Sequence, residues 1–359
     1  MEQQSKHKLQ DLIGAIKDKA SQTKAIVLSN SPSLSFHLSL LRATTHHPTT
    51  PPPTKHINTI LSFGHSSRAT ASATVDALMR RLHSTRSPAV ALKCLLTVHL
   101  IIRRGTFILQ DQLSIFPSFG GHNYLNLSDF RDNRSPTSWE LSSWVRWYAR
   151  YLEHLLSTSR VLGFFLCSTS STLNKDHEED AVSSLMNNDL VKEVDSLVSL
   201  IEETQRIPES LHVDNNDLIF EIMGLVGDDY KSALNEVSLR VNEFRERLSH
   251  LSFGDSVEFV CCMKRLEDCE ERLTVLFPMM KRALTESFWG LVGEMKKIVG
   301  SCCAEKGERK KLVGWRGDRG SESARFDHQV LRSDKSFRFG SGRMSSLALP
   351  IEESGDQWN

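Results

Sequence analysis

The sequence predicts an all-α fold: a stack of short helices, then a bundle of long ones, then a disordered C-terminal tail. Three observations carry this. No run of alternating apolar residues bounded by hairpin turns occurs in the 359 residues. Helix caps and stops recur through the front half. In the middle, apolar residues repeat at spacings of three and four, the signature of helices packed along a seam.

The first element is an amphipathic stretch over about Leu9 to Leu28, and a short helix after it ends near Arg42. Thr44 to Pro53 is a Thr/His/Pro loop. After Pro51, Pro52 and Pro53 a helix is expected to restart with Thr54 as its N-cap. Another runs from Ser67 to His83. Ser87-Pro88 places a cap before a proline at the first helical position, and Gly105 comes after that helix's last turn. Thr137 and Glu140 stand at capping-box spacing at the head of a helix reaching about Leu166. Within it Trp144, Trp147, Tyr148 and Tyr151 fall on one face, as a buried stripe does. Ser168 to Asp180 is a polar break, with His177 to Asp180 read as an acidic linker. Beyond it lie two seams: Tyr230, Leu234, Val237, Val241, Phe244, Leu248 and Leu251, then Phe259, Met263, Leu266, Leu273 and Phe277. From about Gly300 the periodicity fails. The expected parts are therefore 1–170, 180–300 and a tail at 301–359.

Charge divides the chain more sharply than its total suggests. Lys plus Arg and Asp plus Glu are both 44. Residues 1–110 nevertheless hold fourteen Lys and Arg against four acids, with no acid between Asp18 and Asp76. The middle is correspondingly acidic. A basic front suits a polyanionic partner, either a membrane surface or a nucleic acid. The longest apolar stretch, Val90 to Ile102, is interrupted by Lys93 and His99 and is too short to cross a bilayer. Met1 to Lys6 carries no signal-peptide pattern, so a cytoplasmic protein is expected.

No phosphate-binding glycine loop, nucleophile elbow, zinc-protease motif or EF-hand loop occurs, so no enzyme, metal or cofactor is expected. Cys261, Cys262 and Cys269 fit a core or near-core helix. Cys302 and Cys303 are either inert or acylated. Arg103 and Arg104 at a helix end suit the helix dipole without any ligand.

One segment carries chemistry. Arg42 ends one helix; Lys55 and His56 sit in the first turn of the next, where cations oppose the macrodipole. Helix N-termini attract phosphate, and a bound anion would make the two cations tolerable. His46 and His47 are further candidate donors. Read from the residues alone, this is either an anion site or an exposed polar loop. The alternatives for the whole chain are a helical protein-interaction scaffold and a nucleic-acid-binding protein using the basic front.

Arg42-Ala43-Thr44-Thr45-His46, a proline-containing spacer and Lys55-His56-Ile57 resemble the phosphoinositide motif of ANTH domains, found in clathrin assembly proteins of the ENTH/ANTH/VHS superfamily. The resemblance extends through Ser87 to Lys93, Arg103-Arg104-Gly105 with Phe107, Tyr124 to Phe130, and Trp144 to Leu152. Pro53 and Thr54 stand where the family carries further basic residues. The length is similar to that of short plant members. The resemblance implies an ENTH/VHS-like helical solenoid completed by a long-helix bundle. It implies a monomeric endocytic adaptor that binds phosphatidylinositol 4,5-bisphosphate through Arg42, Lys55 and His56. The implied partners are the clathrin heavy chain, adaptor complexes and vesicle SNAREs; the implied places are coated pits and vesicles at the plasma membrane or Golgi. In the tail, Ala348 to Glu352 loosely resembles a clathrin box. Histidines near neutrality imply binding that strengthens modestly from about pH 7.5 to 6.

Overall fold

The computed structural model describes residues 2–28, 32–65, 67–115, 123–168, 178–209, 216–278 and 282–316. Among these, all regular structure is helical. Residues Met1–Lys311 form one compact unit. In the second unit, Leu312–Asn359, the described residues 312–316 are helical. The sequence placed the start of the tail at 301; helical backbone continues from Gly300 to Arg316. The remainder of the tail, with the segment Ala348 to Glu352, lies outside the described residues. The side chains of Cys302 and Cys303 do too.

The front half is a solenoid of helices that pack on helices one or two places away in sequence. The elements are α1 (Glu2–Leu28), α2 (Pro32–Ala43), α3 (Thr54–Ser62), α4 (Arg68–Ser84), α5 (Pro88–Arg104), α6 (Phe107–Ile115) and α7 (Pro136–Leu162). Contacts run α1 to α2, α2 to α3, α4 to α5 and α6, and α5 to α7. Helix α5 is buried over almost its whole length, Lys93 and His99 included. That explains why its sequence is apolar on every face rather than on one stripe.

Capping decides where these helices start. Ser67 caps α4 by accepting a hydrogen bond from the Thr70 N–H at 3.1 Å. Helix α7 is capped by Ser135, which accepts from the Ser138 N–H at 3.1 Å, with Pro136 at the first position. Thr137 is thus already inside the helix, and the cap is two residues earlier than its capping-box spacing suggested. The same helix stops at Leu162, not Leu166. Gly163 takes φ 79°, the left-handed conformation that ends helices and costs glycine little. The aromatic stripe is buried as expected: Trp144, Trp147, Tyr148 and Tyr151 are each 2% exposed or less.

The bundle half holds α8 (Glu178–Ser183), α9 (Asn187–Gln205), α10 (Asp217–Glu246), α11 (Phe253–Glu267), α12 (Glu270–Leu276) and α13 (Arg282–Arg316). The acidic stretch at 178–180 is the start of α8, not a linker. Helix α9, which the seam pattern did not single out, is the hub: it packs on α7, α10, α11 and α12. The two seams are core except at Leu248 and Phe277, which are only partly buried. Tyr230, Leu234, Val237, Val241, Phe244, Phe259, Met263, Leu266 and Leu273 are all buried. The second seam crosses a helix break at Asp268 and Cys269. Both residues keep right-handed dihedrals, so the apolar face is carried across. Cys262 and Cys269 are buried there, whereas Cys261 is exposed, contrary to its expected core or near-core place.

A buried polar junction ties the halves together. His99 of α5 meets Asp229 of α10 at 2.6 Å through Nε2 and Tyr148 of α7 at 2.8 Å through Nδ1. Tyr151 donates to the same Asp229 oxygen at 2.9 Å. Beside it, the Arg103 guanidinium donates to Asp228 at 3.0 Å. Arg104 donates to Asn58 of α3 at 2.9 Å. Both arginines therefore make internal contacts, which the sequence reading of them as complements to the helix dipole did not foresee.

Candidate functional site: a locked loop with a cationic rim

The loop joining α2 to α3 is fixed residue by residue. Thr44 is fully buried and donates to the Leu40 carbonyl at 2.7 Å, while the Arg81 guanidinium of α4 donates to the Thr44 carbonyl at 2.7 Å. Lys93 of α5, also fully buried, donates from Nζ to the Thr45 hydroxyl at 2.7 Å. His46 is held by Asp18 of α1: its N–H donates to Oδ2 at 3.0 Å and its Nδ1 lies 2.7 Å from Oδ1. Farther along, Asn216 Nδ2 donates to the Pro48 carbonyl at 3.1 Å and the Leu218 N–H to the Thr49 carbonyl at 2.9 Å. Asn216 is also the cap of α10, accepting from Leu218 and Ile219. Partners from α1, α4, α5 and the head of α10 thus grip the loop between Thr44 and Thr49, and Pro51 to Pro53 stiffen the approach to α3.

The electrostatics match this packing. Burial pushes the Lys93 ammonium down to about 8, and the Asp18 charge only partly opposes it. Burial would raise the Asp18 carboxyl, but the His46 hydrogen bonds outweigh it and hold Asp18 below the usual carboxylate range. Neither Lys93 nor Asp18 is marked by the sequence as part of the site. Lys93 is visible there only as an interruption in an apolar run, and nothing local tells a buried lysine from a snorkelling one.

At the rim the picture changes. Helix α3 starts at Thr54 with Pro53 as its N-cap, one residue earlier than expected. Proline has no side-chain acceptor, so no side chain caps this end. His56 closes the first turn, its N–H donating to the Pro53 carbonyl at 2.9 Å. Arg42 and Lys55 are exposed and His56 is half-buried. Burial, then the charges of Arg42 and Lys55, hold His56 below its ordinary value. Arg42 and Lys55 both lie close enough to His56 for their charges to act on it. Neither Arg42 nor Lys55 has an ion-pair partner among the described residues. Cations so placed can meet an anion without first breaking an internal contact.

The other two candidates behave differently. His46 is engaged with Asp18, which makes it a structural residue of the loop. His47 is exposed, with the Thr49 and Thr50 hydroxyls each 3.3 Å from its Nδ1. Among the described residues no group of three or more His, Cys, Asp or Glu could hold a metal ion, and no helix is long and apolar enough to cross a membrane.

Comparison with known proteins matches this architecture to one family. The family model for the ANTH domain covers residues 35–276. A protein of Arabidopsis thaliana named as a putative clathrin assembly protein is 54% identical over 344 residues, 94% of each chain. A second Arabidopsis thaliana protein with the same description is 34% identical over 314 residues, 84% of this chain and 88% of the relative. A third is 31% identical over 302 residues, 81% and 99%. The match takes in the locked loop, the cationic rim and the α9 hub, and the chain therefore belongs to the ANTH-domain family.

Proposed function

We propose that this chain is a peripheral adaptor of clathrin-coated vesicle formation that reads phosphatidylinositol 4,5-bisphosphate on the cytosolic face of the plasma or Golgi membrane. The observation that carries the lipid part is the contrast within one loop. Buried partners fix its backbone, while Arg42, Lys55 and His56 converge at its edge with Arg42 and Lys55 unpaired among the described residues. A rigid, uncapped helix start with free cations favours phosphate and loses little order on binding. The part of the reading that concerns clathrin rests on the family and on the names of its relatives.

In this reading the helices up to residue 170 carry the lipid contact, and the bundle at 180–300 braces it through α10. Each cation near an anionic leaflet contributes about 1 kcal/mol. Three to six of them give roughly 3–6 kcal/mol, a weak and reversible attachment. Clathrin, adaptor complexes and vesicle SNAREs are the partners that would hold such a protein in place. The bundle seams support core packing, so SNARE capture would use the outer faces of those helices. Reconstitution tests the reading: purified chain, clathrin and vesicles with or without the bisphosphate lipid are centrifuged together. Clathrin should pellet only when both chain and lipid are present. Clathrin that pellets equally without the chain, or not at all, overturns the adaptor reading.

A further inference from the structure

The His46 side of the loop borders a second basic region. An open cleft of about 730 Å³ lies between α1, the α4–α5 turn and the segment ahead of α7. That is within the ~300–1,000 Å³ usual for small-molecule sites. Five cationic side chains line it: Lys17, Arg81, Arg86, Arg131 and Arg134. The one carboxylate among the lining residues, Asp132, is already neutralised: Arg134 donates to its two oxygens at 2.8 and 2.6 Å. Lys17 and Arg86 are exposed and, among the described residues, have no hydrogen-bond or ion-pair partner.

Positive charge is crowded behind this wall as well. Arg131 and Arg146 both donate to the Phe130 carbonyl, each at 2.9 Å. Burial, followed by the charges of Arg131 and Arg150, holds Arg146 below its ordinary range. Helix α5 also opens onto the cleft at Ser87, whose side chain makes no capping bond. Its first N–H groups lack intrahelical acceptors, as at any helix start. Uncompensated like charges raise the energy of a fold, and a bound polyanion relieves that cost. A single phosphate would reach one side of a cleft whose cations come from three separate segments. Several phosphates on one small scaffold would reach them all.

We infer that this cleft is a second anion site, separate from the Arg42–Lys55–His56 corner, that takes a multiply phosphorylated small molecule or lipid head group. Lys17 and Arg86 make the direct contacts; Arg131 and Arg81 supply the surrounding field, the Arg134 charge being taken up by Asp132. None of Arg42, Lys55 or His56 lines it.

The test is isothermal titration of the full chain with inositol hexakisphosphate, run beside sedimentation with vesicles containing phosphatidylinositol 4,5-bisphosphate. Lys17→Glu with Arg86→Glu should weaken inositol hexakisphosphate binding at least tenfold. The milder pair Lys17→Gln with Arg86→Gln should give a smaller loss, and both should leave thermal unfolding unchanged. Lys55→Glu with His56→Glu should retain this binding. Loss of the soluble ligand alone identifies a free polyphosphate; parallel loss of vesicle binding identifies a head group; either supports the site. Binding that survives the Lys17/Arg86 changes and disappears with the Lys55/His56 changes places all phosphate recognition at the α2–α3 corner and overturns the inference. So does an unmutated chain that gives no heat with inositol hexakisphosphate. Failure of the lipid reading is a different result: vesicle binding that ignores the Lys55/His56 changes.

Discussion

Two polar clusters in this molecule, each containing a histidine, serve opposite ends. At the junction of α5, α7 and α10, His99, Asp229, Tyr148 and Tyr151 are almost fully excluded from water and bonded to one another. At the corner of α2 and α3, Arg42 and Lys55 reach solvent with no internal partner among the described residues, and His56 feels the charge of both. The first cluster stabilises the fold, because a buried charge that loses its partner is costly. The second is available to a ligand. The difference lies in burial and partner count, neither of which residue type reveals.

The largest expected effect breaks the first cluster. Asp229→Ala removes the partner of His99 and Tyr151 in a dry site, and unfolding should become easier by about 3–5 kcal/mol. Chemical denaturation measures this. Lipid binding by the fraction still folded should be unaffected.

Lys93 stands between the two clusters, since it is buried like the first and supports the second. A lysine whose folded value is depressed binds fewer protons than the unfolded chain between about pH 8 and 10. Stability should therefore rise with pH across that window, and the penalty should be fully present below pH 8. Lys93→Met should stabilise the protein by about 1–3 kcal/mol at pH 7, a gain that shrinks towards pH 10. It should also weaken lipid binding by releasing Thr45. A melting-temperature series against pH, with vesicle sedimentation at pH 7, reads both. A variant less stable at every pH would show that the ammonium is a net stabiliser.

A smaller change sharpens the rim. Arg42→Ala should weaken vesicle binding about fivefold, the equivalent of about 1 kcal/mol, with no change in melting. The smallest effect is the pH dependence of His56. Burial and its two cationic neighbours disfavour the imidazolium. Binding should therefore change little between pH 7.5 and 6.5 and strengthen as pH falls further, a lower window than the histidine content alone implied. Vesicle sedimentation from pH 7.5 to 5 with wild type and His56→Gln separates this from other titrations.

Much of this could be read from the sequence, for identifiable reasons. Starts such as Ser87-Pro88 and stops such as Gly105 are local, and the seams at Tyr230 to Phe244 repeat often enough to be unambiguous. The rim residues Arg42, Lys55 and His56 lie within fourteen positions and belong to a recognisable motif. What could not be read depends on distant partners. Lys93 to Thr45, Asp18 to His46 and Asn216 to Pro48 join residues 48, 28 and 168 positions apart. His46 looked like a lipid ligand because its neighbours do; only the fold brings Asp18 to it. The cleft of Lys17, Arg86, Arg131 and Arg134 was hidden the same way, its cations scattered over three segments.

On the proposed function, the corner of Arg42, Lys55 and His56 binds inositol phospholipid without supporting the fold. Sedimentation of Lys55→Glu with His56→Glu on vesicles containing phosphatidylinositol 4,5-bisphosphate, beside a thermal melt of the same sample, tests both halves at once. The expected result is protein left in the supernatant and a melting curve that overlays the wild type. Protein that still pellets with the vesicles, in a sample that melts normally, contradicts it.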